Sequence, residues 1–320
     1  MLRIWTLTTG ENGMVSQALG LAEAIAATAP DRWQIETRTV RARAPWRWLP
    51  SRLAPRRLPL VVANAEAFAA PLPDLIIACG RRSIPAALAL RAKGVFTVYV
   101  QTPDVPAERF DLVVPPRHDG LSGPNVLPTR GSLHRVTAAK LAAAAEEWQP
   151  RFQDRPRPWT AVLVGGPSQA YTFGQDDALR LADQLQQLAA SGHSLLLTTS
   201  RRTGAHNTAI LRKSLPEAYF WSSAADGPNP YFGLLALADH IVVTCDSANM
   251  ITEACFTGKP VHVVELPGGK PRLHRFLDGM YTDGYARRFQ GAPLPSWTYT
   301  PPDDRARVAR AIIHRLTTPQ

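Results

Sequence analysis

At 320 residues the chain is long for one domain, since about 100–200 residues per domain is usual, and two domains are expected. A hydrophobic content of 45% supplies buried cores and excludes a disordered chain, and a net charge of +10, carried by arginine with only five lysines, suits an anionic partner: a nucleotide phosphate, acidic lipid headgroups or nucleic acid. The three cysteines, Cys79, Cys245 and Cys255, are too few and too widely spaced for a disulfide framework or a zinc pattern, and read as buried free thiols in a reducing compartment.

The chain begins MLRIWTLTTGENG, which meets polar residues before an apolar run of signal-peptide length has built up. No run reaches the ~18 consecutive apolar residues of a spanning helix. The expected location is cytoplasmic, with peripheral attachment to the inner face of the cell membrane as the open variant.

Residues 4–7 read as a strand, 10–13 as a turn, and 16–27 (SQALGLAEAIAA) as a helix with apolar residues at three- and four-residue steps. Strands follow at 75–79, 96–100 and 112–114, with a helix over 83–92 and another over 137–148 closing this half. Residues 149–158 (QPRFQDRPRP) are polar and proline-rich and read as a linker. The pattern then restarts, with strands at 161–164, 194–199, 219–221, 241–244 and 261–264. Helices are expected over 176–190, 204–215, 231–238 and 247–257. A last helix over 303–316 starts after Pro301-Pro302 with carboxylates in its first turn. This alternation defines an α/β chain of two doubly wound Rossmann-like domains facing a cleft. Their expected bounds are 1–148 and 159–300, with 149–158 between them and a C-terminal helix over 301–320 that is free to return to the first domain.

Ligands of open parallel sheets bind beyond the carboxyl ends of the strands, so four loops there are candidates. In Thr8–Gly13, Gly10 and Gly13 permit close backbone approach while Glu11 and Asn12 are polar; the loop is an ordinary tight turn or an acceptor-side loop with Glu11 as a base. It is not a G-x-G-x-x-G fingerprint. Gly165-Gly166-Pro167-Ser168 offers backbone N–H groups to phosphate oxygens but lacks the lysine of a P-loop. Thr199-Ser200-Arg201-Arg202-Thr203 joins hydroxyls to paired arginines, which suits a phosphorylated ligand or a capped helix with solvated arginines. In the fourth, Asp246 or Ser247 caps a helix that carries Asn249, Met250 and, two turns in, Glu253. A carboxylate at Glu253 needs hydrogen-bond donors, either ribose hydroxyls or a structural partner.

Residues 38–57 hold seven arginines and no acid, interleaved with Trp46, Trp48, Leu49 and Leu53. Arg43, Trp46, Arg47, Trp48 and Arg52 suit an anionic bilayer surface, or else form a solvated loop whose tryptophans pack on the domain. No RNA- or DNA-binding motif accompanies them, and no nucleic-acid partner is expected.

Several motifs together resemble a known family. They are Gly10-Glu11-Asn12 with Gln17–Ala22, Cys79-Gly80-Arg81-Arg82, Gln101-Thr102-Pro103, Phe110–Pro115 with His118-Asp119, and Gly123–Val126. Gly165–Ser168, Thr198–Thr203, Asn229-Pro230-Tyr231 and Asp246–Glu253 complete the set. Over nearly the whole chain these resemble the mitochondrial-fission "elongated mitochondria" family of plants and many bacteria. The C-terminal layout is also similar to glycosyltransferase-B enzymes, especially the lipid II N-acetylglucosaminyltransferase. That likeness implies a glycine loop (Gly165, Gly166, Ser168) and a helix N-terminus (Ser247–Met250) facing a nucleotide diphosphate, with Glu253 on the ribose. Thr199–Thr203 and Asn229 join the implied donor set. Gly10, Asn12, Gly13, Gln17, Gly80, Arg81, Gln101 and Asp104 form the implied acceptor side, with the general base drawn from Glu11, Asp104, His118 and Asp119. Two departures stand out: Pro167 interrupts the glycine loop, and Thr8–Gly13 lacks the enzyme's histidine, which bears on catalysis more than on binding.

The resemblance implies transfer of a sugar from a nucleoside-diphosphate sugar to a membrane-linked or cell-envelope acceptor, with no metal and no cofactor beyond the co-substrate. The plant branch implies the alternative, a non-catalytic adaptor that recruits a partner protein to a membrane. A sugar-nucleotide epimerase with a dinucleotide site and a Tyr-x-x-x-Lys pair is not indicated, since neither motif occurs.

Overall fold

Apolar runs bounded by turn residues become buried parallel strands, and the amphipathic stretches between them become the covering helices. In the computed structural model, which describes residues 1–317, the first elements are β1 (Leu2–Thr8), α1 (Asn12–Ala26), β2 (Trp33–Thr39), α2 (Leu58–Val61), β3 (Leu75–Cys79), α3 (Ile84–Arg91), β4 (Phe96–Val100) and β5 (Leu112–Val114). Then follow α4 (Ala138–Phe152), β6 (Trp159–Val164), α5 (Gln175–Ala190), β7 (Ser194–Thr199), α6 (Gly204–Ser214), β8 (Tyr219–Trp221) and α7 (Tyr231–Leu237). The last are β9 (His240–Thr244), α8 (Ala248–Cys255), β10 (Val261–Val264), α9 (Pro271–Thr282), β11 (Ala286–Arg288) and α10 (Asp304–Thr317). Residues 318–320 of the expected C-terminal segment lie outside the described residues.

Two compact units result, one of Met1–Arg135 with the segment from Asp303 onward, the other of Val136–Pro302. The first holds a five-stranded parallel sheet in the order β2-β1-β3-β4-β5. Side chains alternate across it: Trp5, Ile76 and Tyr99 pack with α3, while Ile4, Ile77 and Val98 pack with α1 and α10. The second holds a six-stranded parallel sheet, β11-β10-β9-β6-β7-β8. Strand order reverses between β1 and β3 in the first unit and between β6 and β9 in the second, which puts both crevices where the expected loops lie.

The domain boundary differs from the expectation. Helix α4 opens the second unit instead of closing the first, and the expected linker is its last turn and the approach to β6. Thr137 caps α4 by accepting the Lys140 N–H at 3.1 Å. The helix runs through Pro150, and Trp148 and Phe152 enter the second core. Gly233 of α7 lies so close that a Cβ there would stand 2.4 Å from the Trp148 ring. Proline-rich composition resembled a linker; the Ala144–Trp148–Phe152 four-residue step was the stronger signal.

All three thiols are buried, and burial pushes each up, Cys245 to about 11. Among the described residues no helix is long and apolar enough to cross a membrane.

Candidate functional site

In the first unit, Glu11 is exposed at the amino end of α1 and accepts a hydrogen bond from the Thr9 hydroxyl. Gly10 turns at φ +95°, and Asn12 and Gly13 begin α1. Gln17 is buried, with Oε1 accepting from Cys79 Sγ at 4.0 Å, and Gly80 lies under the Met14 sulfur. Gln101, after β4, has φ 92°, the one non-glycine positive φ among the described residues, a conformation held against steric strain. Asp119 accepts from the Thr102 hydroxyl at 2.6 Å and stands 3.8 Å from His118 Nε2, both side chains being nearly buried.

Two residues expected on the acceptor side have another task. Arg81 donates from Nη1 to the Leu49 carbonyl at 3.0 Å and from Nη2 to the Arg47 carbonyl at 3.2 Å. Asp104 accepts the Ser51 N–H at 3.1 Å. They anchor the arginine–tryptophan segment to the strand ends. Within that segment Trp46 packs against the core, while Arg47 lies over the Trp48 ring at 3.9 Å. Trp48 is 62% exposed, Leu53 58%, Leu60 48% and Leu49 37%; no other stretch of the described chain gathers exposed large apolar side chains in this way. Arg43 and Arg52 are exposed beside them.

In the second unit the three strand-end loops close on one carboxylate. The Asp246 side chain is fully buried. Its Oδ2 pairs with Arg202 Nη2 at 2.6 Å and accepts the Gly166 N–H at 3.1 Å, and its Oδ1 accepts from the Thr244 hydroxyl at 2.7 Å. The Gly165 N–H donates to Thr244 Oγ1 at 2.7 Å, and Arg202 Nη1 donates to the Gly166 carbonyl at 3.2 Å. A Cβ on Gly165 would meet the Asp246 carboxylate at 2.2 Å, and one on Gly166 the Arg202 backbone at 2.3 Å. The glycines therefore admit this internal clasp. The Ser168 N–H donates to the Tyr171 carbonyl, and its hydroxyl accepts from the Ala170 and Tyr171 amides. The loop amides expected to meet phosphate are thus engaged within the protein.

Around the clasp, Ser200 accepts the Arg202 N–H, and Thr203 donates to the Val164 and Gly165 carbonyls. Thr199 Oγ1 is buried at the end of β7 with no partner among the described residues. Arg201 is exposed and has no ion-pair partner among them. Ser247 caps α8 by accepting the Met250 N–H at 3.3 Å, so Asn249 and Met250 form the first turn of a helix whose amino end attracts anions. Glu253 is buried, and its Oε2 accepts from the Tyr231 hydroxyl at 2.6 Å. Burial, then the Glu253 charge, pushes the Tyr231 phenol well up. Asn229 Oδ1 accepts the Tyr231 N–H, which places Asn229 at the start of α7. Tyr231 and Thr244 lie in the motif and loop singled out from the sequence but not in the expected donor set; Thr244 serves Asp246 from two residues away, whereas the Tyr231 hydroxyl satisfies a carboxylate two elements further on, which leaves no local sequence signal. No group of three or more metal-ligating side chains occurs among the described residues.

Two parallel-sheet α/β units, with polar strand-end loops at the point where each sheet reverses, are the architecture of the glycosyltransferase-B class. The chain belongs to the mitochondrial fission ELM1 family, whose model matches residues 12–316. The mitochondrial fission protein ELM1 of Arabidopsis thaliana is 34% identical, the match covering 76% of this chain and 64% of that protein. The chain therefore spans about two thirds of the length of its plant relative. Among solved structures, MurG of Acinetobacter baumannii is similar with a TM-score of 0.52 at 14% identity, over 99% of this chain and 91% of that one. The UDP-GlcNAc 2-epimerase of Methanocaldococcus jannaschii, solved with UDP-GlcNAc and UDP, is similar with a TM-score of 0.51 at 11% identity, over 98% and 99%. These two likenesses establish the fold. Since an epimerase shares it, the lack of a dinucleotide site does not by itself separate epimerase from transferase.

Proposed function

We propose that the chain is a metal-independent, glycosyltransferase-like protein that binds a nucleoside-diphosphate sugar in its second unit and transfers the sugar to a membrane-linked or cell-envelope acceptor. The observation that carries this reading is the α8 amino end at the β6/β9 reversal, with exposed Arg201 and the unpartnered Thr199 hydroxyl at the carboxyl end of the next strand, β7. The similar epimerase was solved with a nucleotide sugar, which supports that ligand class here. Arg201 offsets charge on the leaving diphosphate. Glu11, exposed at the β1/β3 reversal, serves as the general base.

The test is release of nucleoside diphosphate from a panel of sugar donors, with vesicles carrying lipid-linked acceptors. One donor is expected to turn over. Glu11→Gln is expected to slow that turnover about 10²-fold with donor affinity unchanged. No release from any donor contradicts the transferase.

The acceptor side is proposed to sit on an anionic membrane through Trp48, Leu49 and Leu53, with Arg43, Arg47 and Arg52 facing the headgroups. A Trp48→Ala, Leu53→Ala double variant is expected to lose about tenfold in cosedimentation with anionic vesicles. Equal sedimentation of variant and parent contradicts that surface.

A second reading, a non-catalytic adaptor that brings a partner protein to a membrane, is favoured by one observation: Arg202 and the Gly166 amide are already satisfied by Asp246. Nucleotide binding without turnover, together with intact vesicle binding, supports the adaptor.

A further inference from the structure

We infer that Asp246 acts as a built-in anion that occupies the place of a second phosphate, so that the site recognises a nucleoside phosphate through one phosphate only. The inference rests on the nucleotide reading above and narrows it. Four facts carry it. The Asp246 carboxylate is fully buried, so it is a fixed charge and not a mobile surface group. It takes the Gly166 N–H, a backbone donor at the β6 end that could otherwise hold a phosphate oxygen. It neutralises Arg202, one of the two loop cations. It also fills the volume beside Gly165, where even a methyl group would collide with it. A diphosphate drawn toward the glycine loop would meet a buried carboxylate there, and like charges repel. Of the donors around the clasp, the α8 amino end and Arg201 are not drawn into it, and we assign one phosphate to them.

Asp246 is therefore a specificity residue that acts through Arg202. Asp246→Asn keeps an acceptor for Gly166 and a polar group for Thr244 while releasing the Arg202 charge. The test compares inorganic pyrophosphate and paired nucleoside mono- and diphosphates of uridine and guanosine, by titration calorimetry on the full chain. Asp246→Asn is expected to bind pyrophosphate about tenfold tighter than the parent, and adding Arg202→Gln is expected to abolish the gain. The intact protein is expected to bind each diphosphate within about threefold of its monophosphate, a comparison that needs no variant. Pyrophosphate binding unchanged or weakened in Asp246→Asn overturns the inference, as does an intact protein that prefers a diphosphate by tenfold or more. Failure of every nucleoside phosphate to bind, with the pyrophosphate gain present, sinks the nucleotide reading while leaving the clasp intact.

Discussion

Phe152→Ala is expected to destabilise the second unit by about 4 kcal/mol, the range for emptying a large aromatic site in a close-packed core. Phe152 is fully buried. Its ring stacks on Trp148 at 6.0 Å and meets Trp159 at 6.1 Å and Tyr219 at 4.9 Å edge-on. Those neighbours come from a helix and two strands, so the void cannot close by moving one of them. Urea unfolding read by tryptophan fluorescence measures the change. A loss below about 1 kcal/mol would mean that residues 149–158 are a linker after all.

Acid is expected to remove about 3 kcal/mol from the same unit between pH 6.5 and 4. His240 and His262 are buried at the amino ends of β9 and β10, with rings 5.6 Å apart; His193 lies 5.5 Å from His240, and Trp297 sits edge-on to His262. Burial, then His240, Arg287 and His193, holds His262 down at about 4. Burial lowers His193 and His240 as well, with Asp239 opposing. The folded state thus refuses protons that the unfolded chain accepts below its ordinary histidine pKa of about 6.5. Stability is fully present above that pH and falls as the pH drops toward 4, where the folded protein begins to take the proton. Urea midpoints at pH 7 and 4.5 should differ by less in His262→Gln than in the parent. An identical pH dependence in the two proteins would show that His262 is not held neutral.

Much of the fold is legible because strands covered on both faces read as unbroken apolar runs, such as LIIAC in β3 and HIVVT in β9. The elements that escape are those whose burial is partial. β2 (WQIETRT) and β11 (ARR) are edge strands with charged positions, and α9 (PRLHRFLDGMYT) buries only a narrow stripe. The loops of the candidate site are equally legible as strand-end loops, since they follow from apolar runs and glycines. Their occupancy is not. Whether the Gly166 N–H is open depends on a carboxylate 80 residues away. Arg81 and Asp104 bear acceptor-like chemistry but anchor a neighbouring loop, and Glu253 meets Tyr231. Trp46 and Trp48 are two residues apart, yet one packs inward and the other is exposed, a choice made by the turn between them.

The central claim, that the second unit of this ELM1-family chain binds a nucleoside phosphate at the β6/β9 reversal, is tested most directly by thermal unfolding against a nucleotide and nucleotide-sugar panel, with Arg201→Ala alongside. Ligand that binds only the folded state at 100 times its Kd stabilises by about 2.7 kcal/mol, a readily measured rise in midpoint. The account predicts such a rise with at least one nucleoside phosphate, diminished in Arg201→Ala. No rise with any member of the panel would contradict it.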